Sequence, residues 1–210
     1  MSKTLTAEFT LDALRDRLSQ RLNYIHGEQI GDFTQNPDLR KWVMSRAVKE
    51  AAILMPLVER EGEMSLLLTK RADKLSSHSG QIAFPGGKID ADDAGPEAAA
   101  LREAHEEVGL ATDQVEILGR LPDYYTGSGY KIAPIIGIMN ADAVVEANPD
   151  EVDYIFEVPL SFLMNPDNHI RGSRIFEGRE RHFFEMPFEE HHIWGITAGM
   201  IRVLYDRLYK

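Results

Sequence analysis

Cysteine is absent from the 210-residue chain, which excludes disulfides and thiolate metal sites and fits a cytoplasmic protein. Long apolar runs are lacking too, since none approaches the roughly 18 to 20 residues needed to cross a bilayer. The opening stretch MSKTLTAEFTLDALR has no apolar core and no small-residue cleavage site, so no secretory signal is expected. Positive charge is scarce: the formal net charge is −11. A surface this acidic repels long nucleic acids, whose binding rests on Lys and Arg neutralising phosphates. Small anionic molecules remain admissible where metal ions bridge them to carboxylates. The apolar share, 43%, is enough to bury a core. Internal repeats, low-complexity tracts and long linkers are missing, so one domain over residues 1–210 is the expectation, with residues 1–48 a helical extension at its N-terminus.

Leu11, Leu14, Leu18 and Leu22 recur at helical spacing and predict an amphipathic helix over 11–22. Residues 27–37, rich in Gly, Asn, Asp and Pro, predict an irregular connection. Apolar runs at 51–58 and 64–70, separated by Glu-Arg-Glu-Gly-Glu, predict a β-hairpin. A polar loop follows Arg71 and leads into Gln81-Ile82-Ala83-Phe84-Pro85-Gly86-Gly87. A strong helix comes next, opened by Pro96 and stopped by Gly109. Further strands are predicted at 115–121, 132–139 and 152–158, with weaker ones at 174–177 and 182–185. Residues 193–209 read as a C-terminal helix. The pattern predicts an α/β (α+β) protein, a mixed sheet covered by helices on both faces.

The chemistry concentrates in the helix after Gly86-Gly87. At about 100° per residue, Glu103, Glu106 and Glu107 share an arc of roughly 100° on one face. Ala99 and Ala100 lie above them, and the reading makes these two residues room for a ligand. Leu101, Ala104 and Val108 are assigned to the sheet. Three carboxylates so close repel one another unless a cation sits among them. Hard oxygen donors suit Mg²⁺ or Mn²⁺, which share their coordination with substrate phosphates. Gly86 and Gly87 let backbone approach phosphate or metal closely.

Arg102-Glu103-Ala104-His105-Glu106-Glu107-Val108-Gly109-Leu110 resembles the second half of the Nudix box, Arg-Glu-hydrophobic-x-Glu-Glu-x-Gly-hydrophobic. The first half departs from it. The spacing from Gly87 to Arg102 is one residue longer, and Asp90, Asp92 and Asp93 stand where the family's early Glu would fall. Which of the three replaces it is left open. The lengthened loop looks like the coenzyme A diphosphatase branch, whose upstream signature is Leu-Leu-Thr-x-Arg-Ser-x3-Arg-x3-Gly-x3-Phe-Pro-Gly-Gly. Leu67-Leu68-Thr69-Lys70-Arg71, Gly80 and Phe84-Pro85-Gly86-Gly87 keep that spacing, with Ala72 in place of the Ser and Ser76 in place of the second Arg. Segments 130–137, 150–152, 158–160 and 194–199 also look like later blocks of the branch.

The resemblance implies a Nudix-type α/β/α sandwich and hydrolysis of coenzyme A or acyl-coenzyme A with Mg²⁺ or Mn²⁺, giving 3′,5′-ADP and a 4′-phosphopantetheine product. It implies metal contacts from Glu103, Glu106, Glu107 and Gly87, with Glu106 as a third ligand or a base through water. Arg102 orients a loop or a glutamate, and Glu151 is a distal base or ligand. Arg71, Ser76, His78, Gln81, Gly86, Gly87 and Tyr130 are candidates for the substrate side. Tyr124, Tyr125 and Tyr130 either stack an adenine or pack around their turn. His191 and His192, being adjacent, do not face one another and are not read as a metal pair. Partners are a small nucleotide-like molecule, no membrane, no long nucleic acid and, as often in this family, a second copy of the chain. The alternatives are another nucleoside diphosphate derivative as substrate, such as ADP-ribose or a dinucleotide, a non-catalytic nucleotide sensor, and an isomerase.

Overall fold

The computed structural model describes residues 7–21, 28–46, 48–176 and 178–210. Leu22, Gly27, Glu177 and residues 1–6, which belong to segments read above, lie outside them. The centre of the molecule is β2 (Lys49–Arg60), whose side chains alternate between two cores. Ile53, Met55 and Leu57 enter one, and Ala52, Leu54 and Val58 the other. This is the period of two that a sheet buried on both faces imposes.

Strand β3 (Glu63–Arg71) returns antiparallel to β2 through Glu61 and Gly62, both at positive φ (53° and 84°). That turn matches the twist of a two-residue hairpin and bears out the expected one. On its other side β2 runs parallel to β8 (Tyr130–Met139), from Lys49 opposite Tyr130 to Leu57 opposite Ile138. The mixed sheet is completed by β1 (Ile30–Gly31), β4 (Ile82–Ala83), β5 (Gly86–Lys88), β6 (Val115–Arg120), β7 (Tyr124–Tyr125) and β9 (Val152–Pro159). Helix α3 (Pro96–Val108) covers one face. Helices α1 (Leu11–Arg21), α4 (Leu160–Leu163) and α5 (Gly195–Leu208) contribute to the core on the other. The α/β sandwich with helices on both faces is therefore present.

Three expectations are corrected. The weak strands at 174–177 and 182–185 belong to longer ones, β10 (Ile170–Phe176) and β11 (Arg179–Phe188). These form a separate three-stranded antiparallel sheet with β12 (His191–Trp194). The C-terminal helix starts at Gly195, not 193, because Ile193 and Trp194 pair with Met186 and Glu185. The N-terminal extension is more than helical. Beyond α1 it contains the short helix α2 (Arg40–Met44) and β1, which pairs with β7 at the sheet margin. Among the described residues no helix is long and apolar enough to cross a membrane.

Candidate active site

Helix α3 begins at Pro96, whose missing N–H has no role in a first turn, and ends on Gly109 in the left-handed region (φ 66°). Its three glutamates differ in depth: the side-chain exposures of Glu106, Glu103 and Glu107 are 51%, 16% and 3%. One helical step of rotation separates the first of these environments from the last. Ala99 and Ala100 are fully buried in the core that also holds Leu54, Leu67 and Ile135. They make contact between helix and sheet and leave no room for a ligand, a correction to the sequence reading. Ala104 and Val108 pack on the sheet as expected, and Leu101 packs at its margin.

Glu107 is held among groups drawn from distant parts of the chain. The Gly86 N–H donates to its Oε2 at 3.1 Å, and Arg71 Nη1 lies 3.5 Å from Oε1. Burial pushes the carboxyl up to about 7, against the pull of that N–H and of Arg71, with Glu103 and Glu151 raising it further. Glu103 is raised as well, first by burial and then by Glu106 and Glu151, while Arg102 opposes the shift. Arg71 Nε is buried without a hydrogen-bond partner among the described residues.

The Asp-rich loop is tied to the helix through Arg102. Arg102 donates from Nε and Nη2 to the two carboxylate oxygens of Asp93 at 3.0 and 2.9 Å, and from Nη2 to the Lys88 carbonyl at 3.1 Å. Its Nη1 donates to Glu103 at 3.0 Å and to Glu106 at 3.2 Å. The fork holds the Asp93 carboxyl down at about 2, assisted by the Asp90 N–H. Asp93 is thus the loop carboxylate that Arg102 grips with both nitrogens, while Asp90 Oδ2 lies 3.7 Å from Nη2. Gly87 lies against the same carboxylates: a Cβ there would come within 2.5 Å of the Glu103 carboxyl carbon. Because the obstacle is the end of a flexible side chain, Gly87→Ala is expected to cost under about 1 kcal/mol of stability. It should nevertheless swing Glu103 aside and lower kcat about tenfold, which thermal melts and initial rates on the same preparation would check.

Glu151 is near enough to raise both Glu103 and Glu107. Its placement follows from Asn148, whose N–H donates to the Glu107 carbonyl at 2.9 Å and whose side-chain amide donates to the Glu106 carbonyl at 3.2 Å. Nothing in the local sequence marks Asn148 for that task. The signature loop then closes on this cluster: the Ala72 N–H donates to the Glu151 carbonyl and the Arg71 N–H to the Gln81 carbonyl, each at 2.9 Å. Ala72 is buried, so its departure from the signature is a matter of packing. Ser76 is exposed on the loop. His78 takes a left-handed backbone (φ 54°), and its Nδ1 hydrogen-bonds Gln81 Oε1 at 2.9 Å.

Tyr130 sits at the start of β8, with the Lys49 ammonium 5.8 Å from its ring centre. It packs against the core and is not beside the glutamates. Tyr124 is buried and donates to Asp32, so packing decides its role. His191 stacks on Phe156 at 3.8 Å while His192 bonds Glu185 at 2.7 Å, so the two face different ways. Carboxylates of Glu189 and Glu190 come within ligand range of His191. They belong to the exposed turn between β11 and β12.

The donors around α3 are of the type a hard divalent cation takes, carboxylate oxygens graded from exposed to buried beside a glycine turn. Glu103, Glu106 and Glu107 are not drawn together within ligand range of one another, so a cation would have to gather them. A cation would relieve the cost of ionising Glu107 and Glu103 in their sheltered positions.

The NUDIX domain family matches residues 48–203. The uncharacterized Nudix hydrolase NudL of Enterobacter sp. (strain 638) is 40% identical over 182 residues, covering 85% of this chain and 94% of that protein. NudL of Escherichia coli (strain K12) is 40% identical over 156 residues, 74% of this chain and 81% of that one. Among solved structures, a Nudix hydrolase of M. smegmatis, RenU, is similar with a TM-score of 0.53 and 19% identity over 77% of this chain and 86% of its own. That last likeness bears on the fold alone. With the box on α3 and the family spanning most of its length, the chain belongs to the Nudix hydrolases, enzymes that act on phosphorus-containing anhydrides of nucleoside diphosphate derivatives and generally use divalent metal ions.

Proposed function

We propose that this Nudix hydrolase cleaves the diphosphate of coenzyme A or acyl-coenzyme A, releasing 3′,5′-ADP and the corresponding 4′-phosphopantetheine. The observation that carries the reading is convergence on one carboxylate. The coenzyme A-type signature supplies both Arg71 and the Gly86 N–H to Glu107, the buried member of the glutamate trio. Bound Mg²⁺ or Mn²⁺ would withdraw charge from the diphosphate and lower the pKa of a water. Glu103, Glu106 and Glu107 would hold the metal, with the Gly87 backbone beside them. Arg102 positions Glu103 and Glu106 while Asp93 fixes Arg102. Arg71 would face the anionic diphosphate, and Glu151 would accept the proton of the attacking water.

A second reading, ADP-ribose or a dinucleotide as substrate, keeps the same groups and gains from Ser76, where the signature has a cation. Turnover of a panel containing coenzyme A, acetyl-coenzyme A, ADP-ribose and diadenosine polyphosphates, with chromatographic identification of products, separates the two. We expect kcat/KM for coenzyme A at least about tenfold above the others, which corresponds to roughly 1.4 kcal/mol of preference in the transition state. A better rate on ADP-ribose overturns the substrate and leaves the chemistry in place.

A further inference from the structure

Beside the signature loop lies a cavity of about 710 Å³ whose walls come from five parts of the chain that the sequence did not connect. His78 and Gln81, from the signature loop, line part of it. The Gln81 carbonyl accepts from the Arg71 N–H, and the Arg71 side chain reaches Glu107. A molecule whose diphosphate sat on the glutamates would therefore have this chamber within reach of one of its ends.

The opposite wall is the segment 28–46, and it is firmly pinned. Asn36, buried, exchanges two hydrogen bonds with the backbone of His182, each 2.8 Å. Asp32 accepts from the Gly127 N–H at 2.7 Å and the Tyr124 hydroxyl at 3.0 Å. Two features of the lining select a ligand. Trp42, Phe183 and Trp194 bring aromatic rings to the lining, the last two with ring centres 5.4 Å apart in an edge-to-face pair. Arg46 lies over Trp42 at 4.7 Å and Arg174 over Trp194 at 4.9 Å, so a base would stack on what those cations leave open or displace them. Arg179 and Arg181, two apart on β11, bring cations into the lining of a chain with net charge −11. Arg181 Nη1 is buried and has no hydrogen-bond partner among the described residues; the nearest carboxylate oxygen, on Asp38, is 3.5 Å away. Aromatic faces take a planar base, and a pair of guanidinium groups takes a phosphate monoester.

We propose that this chamber holds the nucleoside end of the substrate, with its base on the aromatic walls and a ribose-bound phosphate on Arg179 and Arg181, so that segment 28–46 determines specificity. The inference rests on the diphosphatase reading for its substrate class, but its test does not require turnover. Both tryptophans of the chain, Trp42 and Trp194, line the cavity, so intrinsic fluorescence reports its occupancy.

Metal-free full-length protein would be titrated with 3′,5′-ADP and with 5′-AMP. We expect saturable quenching by both, with 3′,5′-ADP binding about tenfold tighter, a difference that Arg181→Gln abolishes and Arg181→Lys partly restores. In turnover, Trp42→Ala should raise KM about tenfold at nearly constant kcat. Should Arg181→Gln fail to fold, the exposed Arg179→Gln serves the same comparison. Equal affinity for the two nucleotides, or no quenching by either, overturns the proposal. Tight, Arg181-dependent binding of 3′,5′-ADP by a protein that does not cleave coenzyme A would sustain the chamber and overturn the substrate reading instead.

Discussion

Glu107→Gln is expected to lower kcat about 10³-fold while making the metal-free protein more stable above neutral pH. The loss of rate follows from removing one charged metal donor, a change of several kcal/mol in transition-state stabilisation. The gain in stability follows from burial. The folded carboxyl titrates near 7, against 4.5 for an unperturbed glutamate. Between those values the folded chain binds a proton that the unfolded chain has released, so wild-type stability falls as pH rises from about 4.5 to about 7. Above 7 the full cost is present, at most about 3 kcal/mol for a shift of this size. Glutamine keeps an oxygen for the Gly86 N–H and never ionises, so the variant escapes that cost. Melting wild type and variant in EDTA at pH 4 and pH 8.5 would show matching stabilities at the lower pH. At the higher pH the variant should melt several degrees above wild type. Equal melting temperatures at both would mean that Glu107 is solvated when the metal is absent.

Arg102→Ala is expected to reduce activity about 100-fold and to raise the Mg²⁺ concentration needed for half-maximal rate, because the groups that orient metal donors typically change affinity or activity 10- to 100-fold. The guanidinium holds together Asp93, the Lys88 carbonyl, Glu103 and Glu106. Without it, Glu103 and Glu106 repel one another uncompensated, and Asp93 loses its cation. Arg102→Lys keeps the charge and loses the planar fork, so its rate should fall between wild type and alanine. Asp93 acts on stability in the opposite sense to Glu107. Its carboxyl, held at about 2, adds stability above its ordinary 3.8 that is lost as pH falls through 2. Arg102→Ala should remove that dependence. A metal requirement unchanged by the substitution would show that Arg102 supports the loop alone.

The amino-acid sequence by itself determined whatever depends on neighbours a few residues apart. The helix from Pro96 to Gly109, the hairpin at Glu61-Gly62 and the alternating strands are local choices, and each was legible. So was the grouping of Glu103, Glu106 and Glu107, which share a helix face wherever that helix is placed. Their inequality was not legible. A helix with carboxylates on one arc has the same pattern whether solvent or a sheet meets that arc. The docking of α3 onto β2 and β8 decided that Ala99, Ala100 and Glu107 face inward while Glu106 stays in water. Asp93 could not be chosen over Asp90 and Asp92 as the partner of Arg102 because an irregular loop has no period from which to infer direction. Long-range contacts were hidden for the same reason. Asn36 meets His182 across 146 residues, and Asn148 caps a helix 42 residues away with both its backbone N–H and its side-chain amide. Loop-closing contacts of this kind leave no local signature, because their partners come together only after the sheet has formed. The site's chemistry was thus written in one helix, and the cavity beside it arose only from tertiary packing.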